Sequence, residues 1–561
     1  MTTSISAKRT LLGRSAFLSL LEDEGVEYLF GNPGSTELPI MAALHDHPDL
    51  HYILGLQESI VVAMADGYSR ASNRLSAANV HVAPGLGNAM GALFNAKWYG
   101  SPMILTAGQH EQGHSLHDPM LYASLVPLAE PLVKWAIEVT RLADLPQIMR
   151  RAAKVALTPP TGPVFISLPG DILNDEAELD LGTSVRVDSA TRPSDAALEQ
   201  LADRLLRAQR PVIVSGHEVS VHDALHEVAQ LAETIGAGMF QQTVPYSAQC
   251  LSDHPAYLGS LTRSQRQVRQ TLEPFDLLIL LGADQLRMSI YSPVDPLPAG
   301  MAIVQIGERA WELGKSYPTE IAINANVKET LNALINVLKK LMDRSSTERA
   351  AKNLREMAEN NWTVQRAQAI RQLDAAATAK PIDPKFLMSR IVVSLPSNAI
   401  VVEEALTSGF SLLNFLPLRG PKDFYGLASG GIGFAMAGAI GIQLAQPQRR
   451  VVAIVGDGSA MYSIQALWTA AHLKLPITYV IANNSSYRIL KERVMPYQKE
   501  AKFIAMDMRD PRIDFVALAQ SMGVTASRVT DPRDVDEALR EAHKVNGPTL
   551  VDITVHDGFE Q

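Results

Sequence analysis

The stretch Arg450-Val-Val-Ala-Ile-Val-Gly456-Asp457-Gly458-Ser459 decides the fold of its region. After the arginine its residues are short, apolar and mostly β-branched, which reads as a buried strand. Gly456 is where the backbone must turn. Residues 460–473, with Met461, Ile464, Leu467 and Trp468, then carry helical spacing. Pro476-Ile-Thr-Tyr-Val-Ile-Ala482 is a second strand, and it ends in Asn483-Asn484, 27 residues after the aspartate. In open parallel α/β sheets ligands sit at the carboxyl ends of the strands. There Asp457 and Asn484 each offer one oxygen to a hard cation, and a backbone carbonyl near Ser486 offers a third. Diphosphate oxygens and a water would complete an octahedral Mg²⁺ shell. A turn with an aspartate capping a helix accounts for Asp457 but leaves the matched asparagines unexplained.

Working outward, 561 residues exceed one domain and suit three. An apolar content of 47% with 19% charged residues supports large cores. The net charge of −9 is spread along the chain without a basic stripe, so nothing supports nucleic-acid binding. The single cysteine, Cys250, forms no intrachain disulfide and reads as a buried structural thiol. The polar N-terminus lacks a signal-type core, and no unbroken apolar run approaches a membrane span. A cytoplasmic enzyme is expected.

Three α/β blocks follow. The first, 1–185, has a helix through Leu11, Phe17 and Leu21 ending at Gly25. Its strands are expected at 26–30, 52–56, 77–82, 103–106 and 164–168. The second, 190–345, carries strands at 211–216, 277–282 and 302–306 and few groups that suggest chemistry, so it reads as a structural, Rossmann-like block. A charged, helix-prone stretch assigned to 346–382 reads as a linker. The third block, 383–561, holds the metal motif. Whether the first and third share one architecture is open at this level.

The strand–Gly-Asp-Gly-Ser–helix–strand–Asn-Asn unit resembles the signature of thiamine diphosphate (ThDP) enzymes. Other segments resemble benzoylformate decarboxylases in particular: Phe30-Gly-Asn-Pro-Gly-Ser35-Thr-Glu-Leu, Asn79-Val-His81-Val, Gly87-Asn-Ala-Met-Gly-Ala-Leu and Pro131-Leu-Val-Lys-Trp135. The resemblance spans nearly the whole chain. It implies three doubly wound parallel-sheet domains of the ThDP decarboxylase type, in the order pyrimidine-binding, central and diphosphate-binding. It also implies ThDP and Mg²⁺ as cofactors, active sites at a subunit interface and a homotetramer built from such dimers.

By this carry-over Glu58, in Gln57-Glu-Ser-Ile-Val-Val-Ala-Met-Ala-Asp-Gly67, is the acid that meets the pyrimidine ring. Taken alone, a glutamate at a helix N-terminus is also what the helix dipole favours. Gly430 would offer its carbonyl to the 4′-amino group, and Ile432 would wedge the cofactor into its bent shape. Gly456, Asp457, Gly458, Ser459, Asn484, Ser486 and Tyr487 would hold the diphosphate end, with Asp457, Asn484 and Ser486 on the metal. Ser35 matches a serine that binds the substrate carboxylate, though it also suits a helix cap. His81 matches a histidine used for proton transfer. One departure stands out. Ser289, in Gly282-Ala-Asp-Gln-Leu-Arg-Met-Ser289-Ile-Tyr291, occupies the place of the family's second histidine. His110, His114 and His117, in the loop after Gly108, are candidates to replace it. Leu406, Leu427, Ile489 and Leu490 suggest an apolar cavity.

The resulting expectation is non-oxidative decarboxylation of an aromatic or branched 2-oxo acid to an aldehyde and CO₂. The alternative is a carboligase or lyase of 2-hydroxy ketones or acyloins, with an acetolactate synthase ranked behind both. A nicotinamide dehydrogenase is disfavoured, because no Gly-x-Gly-x-x-Gly follows a strand with an acidic residue some twenty positions on.

Overall fold

A computed structural model describes residues 8–288, 292–373, 377–497, 500 and 502–559. Three six-stranded parallel sheets, each flanked by helices, dominate the chain. In the first domain the strands lie in the order His51–Leu54, Tyr28–Gly31, Ser76–Val80, Met103–Gln109, Val164–Pro169, Ala136–Glu138. In the third they run Phe424–Gly426, Ile400–Glu404, Val451–Gly456, Ile477–Asn483, Thr549–Thr554, Thr525–Val529. Counted along the chain, both orders are 2-1-3-4-6-5, so the two outer domains share one topology. The middle domain differs: Tyr257–Ser260, Gly238–Gln241, Pro211–Ser215, Leu277–Leu281, Ala302–Gly307, Ile321–Asn324, or 3-2-1-4-5-6. That is the order of dinucleotide-binding sheets. A short antiparallel pair, Arg9–Leu12 with Glu176–Leu179, closes the first domain.

The strands expected from apolar runs are present, and the sheets hold others that sequence reading passed over. Gly238–Gln241, Tyr257–Ser260 and Ile321–Asn324 are only four residues long, and the first two hold no β-branched residue. The stretch read as a linker is largely helical. Helices Arg344–Ala358 and Trp362–Leu373 occupy it, and Met357 and Trp362 join the middle core. The helix expected over 460–473 is broken. One turn, Asp457–Ala460, is followed by a bend and then the helix Ala466–His472. In the bend Ser463 Oγ donates to the Gly433 carbonyl at 2.8 Å, which ties this segment to the glycine loop.

The outer domains share one hydrophobic core. Its centre is the crossing of helix Glu58–Ser72 with helix Phe434–Ala445. Glycines let the backbones touch. A Cβ on Gly67 would stand 2.2 Å from the Gly438 carbonyl oxygen, and one on Gly441 would stand 1.9 Å from that of Met64. No side chain larger than hydrogen fits at such an approach. Arg70 seals the crossing. It pairs with buried Asp66 at 2.6 Å, donates to the Gly426 carbonyl and lies 4.0 Å from the ring centres of both Tyr99 and Phe434. Among the described residues no helix is long and apolar enough to cross a membrane.

Candidate active site

The third-domain cleft is built at the carboxyl ends of two adjacent strands. Strand Val451–Gly456 delivers Asp457, which is buried. Its Oδ1 accepts the Gly458 N–H at 2.8 Å, while its Oδ2 has no partner. Burial pushes the carboxyl up to about 6, against the pull of backbone N–H groups from Gly458, Ser485 and Ser486. Strand Ile477–Asn483 delivers the facing loop. Asn483 is structural: its amide donates to Asp552 at 2.9 Å and its oxygen accepts from Ser485. Asn484 turns the other way, its oxygen accepting only the Ser486 N–H at 2.9 Å. Ser459 Oγ and Ser486 Oγ are also buried without partners.

Buried polar atoms ordinarily find partners. Three orphans gathered at one strand edge mark a place for a polar ligand. One carboxylate, one amide oxygen and backbone carbonyls make an oxygen-only donor set, suited to a hard cation that keeps some ligands from a phosphate or water. Tyr487 covers this floor. A Cβ on Gly458 would stand 2.7 Å from its ring, so the tyrosine lies directly on the glycine. Gly456 has ordinary extended dihedrals and leads into the turn. The residues fit a metal–diphosphate group.

The glycine loop lies beside this floor. Gly430 has φ +88° with open space around it, and Gly433 has φ +110°. Both conformations are open to glycine and costly for other residues. Ile432 is half-buried between them. Sequence reading missed what holds this loop. Glu404, buried at the end of strand Ile400–Glu404, accepts from the backbone N–H of Gly433 at 2.5 Å and of Ala435 at 2.6 Å. Burial lifts its carboxyl to about 7 while these two bonds pull it back. An acidic pair at the end of a buried strand, Glu403-Glu404, was the available signal.

The first-domain group gathers elsewhere. His81 follows strand Ser76–Val80, and Val82 beside it has φ +40°. That is a strained conformation for a β-branched residue, and such strain clusters at functional sites. His81 Nδ1 lies 2.8 Å from Glu37 Oε2 and 3.0 Å from Thr36 Oγ1. The Glu37 carboxylate, fully buried, also accepts from Gly34 N, Gly108 N and Thr36 Oγ1 at 2.8–2.9 Å. Gly34 is required here, since a Cβ would stand 2.2 Å from the imidazole. Ser35 is exposed and caps nothing; Gly34 is the residue that precedes the short helical turn. Glu37 is the second residue missed. Its role depends on a histidine far along the chain.

Glu58 opens its helix after Gln57, whose side chain caps Ser59 and Ile60. In the single chain Glu58 is half-buried rather than fully buried. It accepts from Asn88 Nδ2 at 3.0 Å, and the Cβ position of Gly85 is 3.4 Å from its Oε1. The helix crossing near Gly67 lies about 13 Å further along the axis. Phe434, which begins the helix after the glycine loop, stacks on Arg70 beyond that crossing. The glycine loop itself runs along helix Val82–Tyr99, where Ser429 N donates to Asn95 Oδ1 and the Cβ position of Gly431 is 3.7 Å from the Gly91 carbonyl oxygen, and no hydrogen bond joins it to Glu58 among the described residues. His110, His114 and His117 form a row with ring centres 6.1 and 5.8 Å apart, and His110 contacts the Met120 carbonyl rather than His81. Ser289 and Tyr291 lie outside the described residues.

The middle domain's crevice is filled. Glu218, just past strand Pro211–Ser215, accepts the Glu308 N–H at 2.7 Å and Arg309 Nε at 3.1 Å, and Arg309 reaches Asp284 at 2.9 Å. Gly216 and Ala283 pack so closely that a Cβ on the glycine would stand 2.1 Å from the Ala283 Cα. The chain's own carboxylate thus occupies the switch point where a nucleotide phosphate binds in such sheets.

Three family models match in sequence: the N-terminal TPP binding domain of thiamine pyrophosphate enzymes over residues 12–123, their central domain over 198–334 and their C-terminal TPP binding domain over 407–553. Benzoylformate decarboxylase of Pseudomonas aeruginosa is 33% identical over 545 residues, 96% of this chain and 98% of that one. A probable acetolactate synthase large subunit of Methanococcus aeolicus is 27% identical, over 97% of this chain and 92% of its own. The solved thiamine diphosphate-dependent 4-hydroxybenzoylformate decarboxylase of Rhodococcus jostii RHA1 superposes with a TM-score of 0.86 at 31% identity, covering 97% of this chain and 99% of that one. With the orphaned oxygens at Asp457, Ser459 and Ser486 lying on the shared third-domain fold, the chain belongs to the thiamine pyrophosphate enzymes.

Proposed function

We propose that the protein, with ThDP and Mg²⁺, splits an aromatic or branched 2-oxo acid into CO₂ and an aldehyde, at sites formed between two copies of the chain. The observation that carries this reading is the unpartnered Asp457 carboxylate oxygen above the asparagine loop. Asp457, Asn484 and the Ser486 carbonyl would hold the metal; Gly458, Ser459 and Tyr487 would flank the diphosphate. Gly430 and Ile432 would meet the pyrimidine side. When bound, the coenzyme supplies a carbon nucleophile and an electron sink for the bond to CO₂. Glu58 would come from the partner, as the family resemblance implies. It would share a proton with the pyrimidine ring nitrogen, and enclosure by the partner would desolvate it.

His81 does the proton work on the substrate. Glu37 binds Nδ1, so the ring carries its proton there and leaves Nε2 free to exchange one. Ser35, exposed and unbonded, is free to donate to the substrate carboxylate. Leu406, Leu427, Ile489 and Leu490 would exclude water from the stem of the substrate. The occupied middle crevice supports a decarboxylase without a second nucleotide over an acetolactate synthase-like enzyme.

The test is a panel of aromatic and branched 2-oxo acids with and without ThDP, reading CO₂, aldehyde and acyloin together. Coenzyme-dependent CO₂ and aldehyde are expected, and no turnover across the panel refutes the reading. Acyloin without free aldehyde points instead to a carboligase. Glu58→Gln should retain coenzyme binding and lose at least ~100-fold in turnover; unchanged turnover removes Glu58 from its role.

A further inference from the structure

The glycine loop has little order of its own. Gly430, Gly431 and Gly433 follow almost directly on one another, and two of them have positive φ. Glycine visits many conformations at similar cost, so such a loop keeps one shape only where outside bonds hold it. Among the described residues no hydrogen bond reaches Gly430, whose surroundings are open. The holds lie on either side. After it, the third domain supplies Glu404 to the Gly433 and Ala435 N–H groups and the Ser463 hydroxyl to the Gly433 carbonyl. Before it, both other domains take part. Asn95 of the first domain accepts the Ser429 N–H at 3.1 Å and its hydroxyl at 3.2 Å, and that hydroxyl accepts the Gly431 N–H at 3.0 Å. Arg287 of the middle domain donates from Nη2 to the Ala428 carbonyl at 2.7 Å.

The Ala428 carbonyl and the Ser429 N–H belong to one peptide unit. That plane, two bonds upstream of Gly430, is therefore gripped on one edge by the middle domain and on the other by the first. Both grips are themselves braced. Asn95 is buried, and its amide donates to Asp66 at 3.3 Å. The Arg287 guanidinium lies 4.5 Å from the centre of the Trp98 ring and 3.6 Å from the Asp284 carboxylate, and its backbone carbonyl accepts from Thr243 Oγ1 at 2.8 Å. Leu286, just before it, is buried with φ +47°. That conformation is costly for a side chain and persists only where the surroundings impose it. A charged donor bonds a carbonyl more strongly than a neutral one does, and the aromatic face holds the guanidinium in place.

We propose that Arg287 is a positioning residue for the coenzyme: by gripping the Ala428–Ser429 peptide from the middle domain, it sets the direction in which Gly430 presents its carbonyl, and turnover depends on that grip. This rests on the reading of Gly430 and Ile432 given above, and it gives the middle domain a part in the chemistry. An arginine that only joined two domains would support stability and leave the loop and the coenzyme indifferent to its loss.

Arg287→Met keeps an apolar stem beside Trp98 and removes the donor, and Arg287→Lys keeps a charge able to reach the same carbonyl. Three quantities separate the two roles in the full-length protein. They are amide hydrogen exchange of the 427–436 segment without coenzyme, exchange of the C2 proton of bound ThDP for deuterium, and kcat and KM on the panel of 2-oxo acids. In Arg287→Met the loop amides should exchange about 10-fold faster. C2 exchange and kcat should each fall by roughly 10- to 100-fold, since a misplacement of about 1 Å costs up to that much. KM and the calorimetric ThDP Kd should stay within about threefold, because the metal and diphosphate residues share no partner with Arg287. Arg287→Lys should recover much of both rates. Unchanged kcat in Arg287→Met, or a lowered melting temperature with loop amides and C2 exchange unmoved, overturns the assignment. Should Arg287→Met fail to fold, Arg287→Gln, a neutral donor of shorter reach, takes its place in the same measurements with the same deciding outcomes. If no acid releases CO₂ with the unmodified protein, the decarboxylase reading fails by itself. The two exchange measurements need no substrate and still decide: faster loop amides with slower C2 exchange uphold the role of Arg287, and unmoved values refute it.

Discussion

The middle and third domains both place a carboxylate just beyond a central strand, where parallel sheets bind phosphate groups. Glu218 in the middle domain is satisfied by the Glu308 backbone and by Arg309. Asp457 in the third has one oxygen with no partner and two orphaned serine hydroxyls nearby. Equivalent positions in related sheets have thus been finished in one case and left unfinished in the other. An unsatisfied buried carboxylate destabilises the protein alone and is repaid only by a bound ligand.

The largest effect should come from removing the unfinished carboxylate. Asp457→Ala or Asn484→Ala should weaken coenzyme binding in the presence of Mg²⁺ by at least ~100-fold, since loss of even an outer-shell partner costs 10–100-fold. Calorimetric titration with ThDP and Mg²⁺ measures this. Full affinity in either variant would mean that the orphaned oxygens serve something else.

Glu37 stands between the two cases. Its carboxylate is as well bonded as that of Glu218, but one of its partners, His81, has a chemical task of its own. Glu37→Gln preserves shape and removes the charge that sets the imidazole tautomer. Turnover should fall by about 10- to 100-fold, the cost typical of a lost orienting partner. Coenzyme affinity should hold, and the loss should appear in kcat rather than in KM. A variant that lost only thermal stability, with kcat unmoved, would reduce Glu37 to a structural anchor.

The raised pKa of Asp457 also predicts how the coenzyme-free protein responds to pH. Burial lifts the folded value to about 6 from an unfolded 3.8. Between those values the folded state keeps a proton that the unfolded chain has released. Stability therefore falls as pH rises through that window, by about 3 kcal/mol in all. Asp457→Asn has no such charge to bury. Without ligand it should be more stable than the unmodified protein by about 1–3 kcal/mol at pH 7.5, with the gain gone near pH 4. Thermal melts at both pH values, with and without ThDP and Mg²⁺, read this directly. Glu404 titrates in the same direction in both proteins and cancels from the difference.

What was legible in the sequence follows from how far apart the cooperating residues lie. Asp457 and Asn484 sit on consecutive strand–turn units, so their spacing betrays a shared edge. Glu58 and the glycine loop were legible as segments, but the helix crossing between their domains was not, because it depends on Gly67, Gly438 and Gly441 packing two domains together. Glu37 and Glu404 were missed for a related reason. Each works through backbone N–H groups or a histidine brought alongside by strand order, which no local pattern records. The common 2-1-3-4-6-5 order of the outer sheets likewise exists only in pairing, while the short middle strands Gly238–Gln241 and Tyr257–Ser260 hold no β-branched residue to mark them. Strain offers a signal of another kind. Val82, Leu406 and Ser485 all have positive φ, and each follows a strand carboxyl end at the candidate sites.

The smallest effect on coenzyme binding should come from the finished crevice, and it is the sharpest test of the contrast. Glu218→Gln keeps the volume and one acceptor but removes the charge that holds Arg309, leaving that guanidinium with Asp284 alone. The expected cost is about 1–3 kcal/mol of stability, the range for a hydrogen bond involving a charged group. ThDP affinity should stay within about twofold, because additivity holds for sites that share no partners. Flavin or adenine nucleotides should fail to bind the unmodified protein, since the position for a phosphate is already taken by an internal anion. If such a nucleotide bound tightly, displacing Glu218, the middle domain would be a second unfinished site, and the satisfied ion cluster would be a closed state of it rather than its completed form.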